Sequence, residues 1–152
     1  MALQFHFLRK KIKMKKETSG ILRKKALKLA QKLARISAAD DNGYAHCWSC
    51  GDAYHYKEMD GGHFIAKGHS SYWSLDASNI HPQCRSCNGF GMRYGIAEQQ
   101  YTINMIDYYG RDYVEMMHIF KNKIKKIGKA EYLDMIQELN NLIKYHEERV
   151  GK

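Results

Sequence analysis

The chain has 152 residues, and 44% of them are hydrophobic, which is enough apolar material to bury the core of one ordinary domain. This composition excludes a disordered protein. It also excludes a membrane-spanning chain, because no window approaches the roughly 18 consecutive apolar residues that a span needs. The formal net charge of +9 favours a polyanionic partner, since each phosphate that a basic side chain neutralises releases counterions.

The positive charge lies mainly at the N-terminus. Residues 1–36 hold 12 basic residues and 1 acidic residue, whereas residues 37–152 hold 13 basic and 15 acidic ones. Within this part, residues 1–19 form a basic arm with little apolar surface to bury. Such a charge run is often only a solvated surface, but its density and one-sidedness favour nucleic acid. The first residues do not form a secretory signal, so we expect a protein of a reducing cytoplasm.

Residues 20–39 are predicted to form an amphipathic helix. Apolar residues recur at helical spacing from Leu22 to Ile36, and basic residues fill the remaining surface. The basic residues assigned to DNA binding are Lys24, Lys25, Lys28, Lys32 and Arg35. The same pattern also describes a helix that packs on a core and uses lysine for solubility. A basic amphipathic helix can lie on a membrane, but no bulky aromatic residue marks this apolar stripe.

All four cysteines fall into two Cys-x-x-Cys pairs, formed by Cys47 with Cys50 and by Cys84 with Cys87. This spacing lets each pair aim two sulfurs at one ion, so we predict a structural zinc bound by four thiolates. The alternative is a set of four buried, reduced thiols. Four thiolates leave no open position on the zinc, so any catalysis must use other residues.

The 33 residues between the two cysteine pairs are rich in glycine, serine, aromatic residues and histidine, and they lack helical periodicity. This pattern predicts short strands and a long loop. Three helices are expected to follow, and together they form a helical region over residues 95–152. Their predicted limits are Gly95 to Tyr109, Asp112 to Gly128 with Glu115 in a capping box, and Ala130 to Val150.

In order, the polar residues of the metal region read Cys-x-x-Cys, Gly-His, Asn and Cys-x-x-Cys-Asn. This order resembles the HNH nuclease motif of the ββα-metal fold, in its four-cysteine subtype. The resemblance implies that His63 is the general base that activates water. It also implies that Asn79 orients His63 and that Asn88 is a ligand of the catalytic divalent ion.

The chemistry of these residue types agrees with the implied roles. Imidazole titrates near neutral pH and can take a proton from water, although a histidine at this position can also merely pack against a strand. A hard cation such as Mg²⁺ or Mn²⁺ prefers oxygen ligands, which Asp60 and Asn88 offer. One departure is Gly62, because the general motif has a second metal ligand immediately before the catalytic histidine. Asp60 can replace that ligand only if the chain folds back at the two glycines.

A longer string resembles a narrower family. Cys-x-x-Cys-Gly, Asp-x-Gly-His-Phe and Asn-Ile-His-x-Gln-Cys-x-x-Cys-Asn look like the NinG/Rap recombination proteins of lambda-type phages, over about residues 20–145. This resemblance implies a divalent-metal-dependent, structure-selective endonuclease that acts on Holliday junctions and D-loops. It also implies that the protein works in the host cell cytoplasm. Some members have additional N-terminal cysteines that this chain lacks, so their function does not carry over.

Several further residues are candidates for the same site. His81 is either a metal ligand or a histidine packed beside Pro82. Lys67, Arg85 and Arg93 can clamp the DNA backbone, although exposed charges near a zinc site are common.

We therefore predict an α+β protein with a zinc-bound, HNH-like nuclease core over residues 44–94, preceded by the basic helix and followed by three helices. Two alternatives stay open. One is a zinc-finger module that binds DNA without cutting it, and the other is an HNH nicking nuclease for linear duplex DNA. Because a four-way junction has symmetry-related strands, we also expect a homodimer formed through the C-terminal helices.

Overall fold

The computed structural model describes residues 17–150, so most of the predicted basic arm lies outside the described residues. The described part is an α+β fold. Its elements are α1 (Ser19–Ser37), β1 (Tyr44–His46), β2 (Ala53–His55), β3 (Met59–His63), β4 (Ile80–Cys84), α2 (Ile96–Tyr109), α3 (Arg111–Ile119) and α4 (Lys129–Val150). None of the helices between residues 17 and 150 is long and apolar enough to cross a lipid bilayer.

Helix α1 begins after Thr18, whose side-chain oxygen accepts a hydrogen bond from the Ile21 backbone N–H at 3.4 Å. This N-cap satisfies one of the backbone donors that a helix leaves free at its start. The buried residues of α1 are Leu22, Ala26, Ala30 and Ile36, which follow the helical spacing of the sequence. The helix therefore lies within two residues of its predicted range, with its apolar stripe turned inward.

The strands form two antiparallel hairpins. β1 pairs with β2, and β3 pairs with β4 from Met59 opposite Cys84 to His63 opposite Ile80. A loop of residues 64–79 joins β3 to β4, and a short helical segment, residues 85–93 with a π-helical turn at its centre, follows β4. The metal region thus has the order strand, strand, helix.

The β3–β4 hairpin is covered on both faces. Helix α1 lies on one face and approaches so closely at Gly61 that an added Cβ would lie 2.6 Å from the Gln31 Cα. On the other face, the Tyr101 hydroxyl of α2 donates to the Gly62 carbonyl at 3.0 Å. Since side chains alternate along a strand, His63 lies on the α1 face and Asp60 on the opposite face.

Helix α4 packs along α1. Tyr132 and Ile136 are buried against Leu22 and Ala26, which forms a small apolar cluster. At the other end of α4, the Arg149 guanidinium donates to the backbone carbonyls of Ile36 and Ala39 at 3.2 and 2.7 Å. The predicted limits of this helix agree with the structure within one residue.

The predicted helix from Asp112 to Gly128 is wrong in its second half. Helix α3 begins at Arg111 and ends at Ile119, and residues 120–128 form an irregular loop. Val114 and Met117 are buried, whereas Ile124 in the loop is exposed. The physical reason is that backbone groups of this loop bond to residues 70–73 instead of continuing the helix. Tertiary contacts override the local helical periodicity.

We predict that Gly61→Ala destabilises the protein by about 1–3 kcal/mol, because the new methyl group meets the α1 backbone and forces the helix away from the hairpin. Thermal unfolding measures the effect. Gly68→Ala is the matched control, since no atom lies within 4 Å of its added Cβ. Equal melting temperatures for Gly61→Ala and the wild type would show that α1 does not depend on this close approach.

Candidate metal centre and active site

The four cysteines converge as the spacing predicts. Their sulfur atoms all lie within 4.8 Å of one another, where the β1–β2 turn meets the end of β4. Cys47 and Cys84 are buried, whereas Cys50 is exposed. This set of sulfurs can hold one zinc ion, which would tie the first hairpin to the second.

Backbone N–H groups point at the sulfurs. Ser49 and Cys84 donate to the Cys47 Sγ at 3.4 and 3.3 Å, and Cys87 donates to the Cys84 Sγ at 3.4 Å. Although burial alone raises the pKa of Cys47, these hydrogen bonds outweigh it and lower that pKa below the ordinary thiol value. Burial raises the pKa of Cys50 to about 11 and also raises the pKa of Cys87. Four thiolates at this distance therefore need a cation between them, and zinc fits that requirement.

His63 ends β3, and its ring is fixed by one hydrogen bond. The Nε2 atom lies 2.9 Å from the Ser74 carbonyl oxygen. A carbonyl oxygen only accepts, so Nε2 carries the proton and Nδ1 of the neutral ring keeps its lone pair. Nδ1 makes no hydrogen bond within residues 17–150, and it is not among the completely buried polar atoms that lack a partner.

Burial lowers the pKa of His63 below its ordinary value. The Ser74 carbonyl opposes this shift, whereas the nearby cations Lys67 and Arg23 add to it. The ring is therefore neutral at pH 7, with Nδ1 able to accept a proton.

Asn79 holds the loop that presents His63. Its side chain is fully buried, accepts from the Ile65 N–H at 2.6 Å, and donates to the carbonyls of Ile65 and Trp73 at 2.9 Å each. These two contacts lie just after His63 and just before Ser74. No hydrogen bond in the described chain joins Asn79 to the His63 ring itself. Asn79 thus acts on His63 through the backbone on either side of it.

The structure brings Asp60 and Asn88 together. The Asn88 Nδ2 donates to the Asp60 Oδ2 at 3.0 Å, which leaves one oxygen on each side chain for other partners. The chain does not fold back at Gly61 and Gly62, because both glycines belong to β3 and pair with Pro82 and His81 of β4. Asp60 therefore stays three residues from His63, about 10 Å along the strand.

Gln83 was not among the predicted site residues, yet it explains the glycine before His63. Its carboxamide fills the space that a side chain at Gly62 would need. The Nε2 atom donates to the Ser49 hydroxyl at 2.7 Å, whereas the Oε1 atom is buried and has no hydrogen-bond partner. Gln83 is also directly opposite Asp60 in the β3–β4 pairing, so a third oxygen lies on this face of the hairpin.

His81 lies on the same face but is fully engaged. Its Nδ1 and Nε2 atoms lie 2.9 and 3.0 Å from the hydroxyls of Tyr101 and Tyr109, and its ring stacks on Trp48 at 3.6 Å. Burial lowers the pKa of His81 to about 3, so the ring is neutral. No ring nitrogen is left for an ion. His81 therefore fits the description of a packed histidine better than that of a metal ligand.

The predicted DNA-binding residues divide into two groups. Those exposed to solvent are Lys24, Lys25, Lys28, Lys67, Arg85 and Arg93. Lys32 instead forms an ion pair with Glu147 at 2.6 Å. Arg35 is half-buried and donates to the Met59 carbonyl at 2.6 Å, so it holds β3 against α1 rather than facing a ligand.

Ser74 was also missed by the sequence analysis. It acts on His63 through a backbone carbonyl, and any residue type offers that group, so the sequence contains no signal for it.

The fold and the site define an α+β protein with a four-cysteine cluster that can hold a metal ion, next to a hairpin that ends in a histidine. A family model described as Bacteriophage Lambda NinG protein matches residues 5–149. The chain therefore belongs to this family, which confirms the resemblance read from its motifs. Membership links the protein to phage recombination. No curated protein and no solved structure matches the chain.

We predict that the purified protein carries one zinc ion per chain, and that Cys84→Ser loses the ion and unfolds the metal region. The reason is that Cys84 is buried and its replacement breaks the four-sulfur set. Metal analysis and circular dichroism provide the measurement, with the exposed neighbour Ser86→Ala as control. A zinc-free wild type, or a well-folded Cys84→Ser variant, would refute the structural role of the metal.

Proposed function

We propose that this protein is a divalent-metal-dependent endonuclease with an HNH-like core, and that it hydrolyses phosphodiesters in branched recombination intermediates such as Holliday junctions and D-loops. The observation that carries this proposal is the state of His63. A neutral imidazole at the end of a strand, with one nitrogen fixed by a carbonyl and the other open to water, is the arrangement that a general base needs.

In the proposed reaction, a water oxygen attacks phosphorus while His63 Nδ1 accepts the water proton. The bond from phosphorus to the leaving oxygen breaks, and that oxygen takes a proton from solvent. The Ser74 carbonyl keeps the ring in the tautomer that can act, and it stabilises the imidazolium that forms. Asn79 is a positioning residue, because it fixes the backbone that carries both His63 and Ser74.

The residues proposed to hold the catalytic Mg²⁺ or Mn²⁺ are Asp60 and Asn88. Each of these side chains keeps one oxygen free of their mutual hydrogen bond, and oxygen donors fit a hard cation. Asp60 lies on the face of the hairpin opposite His63 and about 10 Å from it along the strand, so an ion held there would not contact the water that His63 activates. When bound, it would supply positive charge that stabilises the negative charge of the DNA phosphates beside the site. Two side chains leave room for water and substrate oxygens, as magnesium sites in nucleases require.

The preference for branched DNA rests on family membership. Two alternatives have different requirements. A non-catalytic zinc-finger module needs the zinc and the basic surface but makes no use of His63. A nicking nuclease for linear duplex DNA needs the same catalytic residues and differs only in substrate.

We also propose a homodimer, because symmetric cutting of a junction needs two active sites related by a two-fold axis. The exposed apolar residues of the C-terminal helices support this proposal. Leu142 and Tyr145 of α4, and Ile119 at the end of α3, are exposed large hydrophobic side chains. A second copy of the chain would bury them.

We predict that, with Mg²⁺ or Mn²⁺, the protein cuts a synthetic four-way junction in preference to a linear duplex of the same sequence. His63→Ala should reduce cutting at least about 100-fold and leave junction binding nearly unchanged, because the base acts on the attacking water and makes few contacts with bound DNA. Gel assays of cutting and binding measure both effects.

His69→Ala is the matched control, since His69 is an exposed histidine of the loop that follows β3. Wild-type protein that binds junctions but never cuts them with any divalent ion supports the binding module. Preference for the linear duplex supports the nicking nuclease. Normal cutting by His63→Ala would exclude His63 as the base.

A further inference from the structure

The irregular loop between α3 and α4 has a strongly basic composition. Residues 120–128, termed the lysine loop, contain Lys121, Lys123, Lys125 and Lys126 and no acidic residue. The sequence pattern predicts a helix here and indicates no role for these lysines in binding. A cluster of exposed positive charges attracts polyanions, so the loop is a candidate binding surface.

The lysine loop is attached to the loop that follows β3. Five hydrogen bonds join the two segments, and each of them uses a backbone atom of the lysine loop. They are Trp73 Nε1 to Phe120 O at 2.9 Å, Ser70 Oγ to Lys123 O, Tyr72 N to Lys123 O at 3.4 Å, Ser71 Oγ to Lys125 O at 3.0 Å, and Lys125 N to Ser71 Oγ at 2.8 Å. The backbone is therefore fixed while the lysine side chains stay outside this network.

This attachment links the lysines to the candidate base. Residues 70–73 lead directly into Ser74, whose carbonyl binds the His63 ring at 2.9 Å. Lys67 of the same loop and Arg23 of α1 already act on His63, since both lower its pKa. Positive charge from α1 and from the loop after β3 thus reaches His63, and the lysine loop is bonded to the second of these elements.

The lysines of the loop differ in their partners. Lys125 forms an ion pair with Glu131 at 2.8 Å, and the Lys123 ammonium lies 4.0 Å from the centre of the Tyr72 ring. Lys121 and Lys126 are exposed, and neither forms an ion pair within the described part of the chain. Two lysines are thus held by the fold and two are available to an outside anion.

We propose that the lysine loop binds the phosphate backbone of a DNA arm next to the strand that reaches His63. Lys121 and Lys126 contact phosphates, and Lys123 and Lys125 fix the shape of the loop. The position of this arm rests on the proposed function, but DNA binding by the loop does not. An acidic protein and an anionic membrane are the competing partners.

The test compares two variants that lose the same charge. One is Lys121→Gln with Lys126→Gln, and the control is Lys57→Gln with Lys144→Gln, which removes two exposed lysines from other surfaces. Fluorescence anisotropy measures binding to a labelled four-way junction with Ca²⁺ in place of Mg²⁺, over a series of salt concentrations. Thermal unfolding checks that both variants are folded.

We expect the lysine-loop variant to bind the junction about 10-fold more weakly at low salt. The plot of log affinity against log salt should become shallower, with the magnitude of its slope reduced by about 2, because each lost phosphate contact removes about 0.9 from that magnitude. The control should change the slope by less than half as much. An unchanged slope in the lysine-loop variant, or an equal change in the control, would overturn the proposal.

Two further outcomes are distinguishable. If wild-type protein never cuts a junction but the lysine-loop variant still binds it more weakly, the nuclease proposal fails and the lysine loop is supported. If the variant binds DNA normally but loses binding to vesicles that contain phosphatidylserine, a membrane is the partner and the DNA proposal is overturned.

Discussion

The structure depends on four sulfur atoms held within 4.8 Å of one another. Thiolates this close repel one another, and burial, together with a smaller contribution from the neighbouring cysteines, raises the pKa values of Cys50 and Cys87. A zinc ion bound there would remove the repulsion and join the β1–β2 turn to the end of β4. Because β4 pairs along its whole length with β3, the metal would also fix the strand that ends in His63. Its role would therefore be structural, and the geometry of the candidate active site would depend on it.

From this fixed hairpin, a series of backbone contacts leads to the site. Asn79 closes the loop between β3 and β4, and this loop presents the Ser74 carbonyl to His63. The outer side of the same loop is bonded to residues 120–128, which carry the lysines proposed to bind DNA. The candidate base and the proposed DNA contact are thus both bonded to one loop.

The sequence predicted the parts of this protein that depend on local patterns. Cysteine spacing predicted the metal centre, and apolar periodicity predicted α1, α2 and α4. Contacts between distant residues were not predictable in this way. The carboxamide of Gln83 makes Gly62 necessary, and the lysine loop bonds to residues 70–73 instead of extending α3. The role of Ser74 uses only its carbonyl, and backbone groups leave no trace in a sequence.

The central claim is that His63 is neutral, with its proton on Nε2 and a free lone pair on Nδ1. Nitrogen NMR of the zinc-bound protein, recorded over a pH series, tests this claim directly because the two ring nitrogens have different shifts in each tautomer. Protonation of Nδ1 should occur below the ordinary histidine pKa of about 6.5, with the Nε2–H tautomer present at every higher pH. His63→Gln removes the signal and assigns it. A ring that is doubly protonated at pH 7, or one with its proton on Nδ1, would contradict the account.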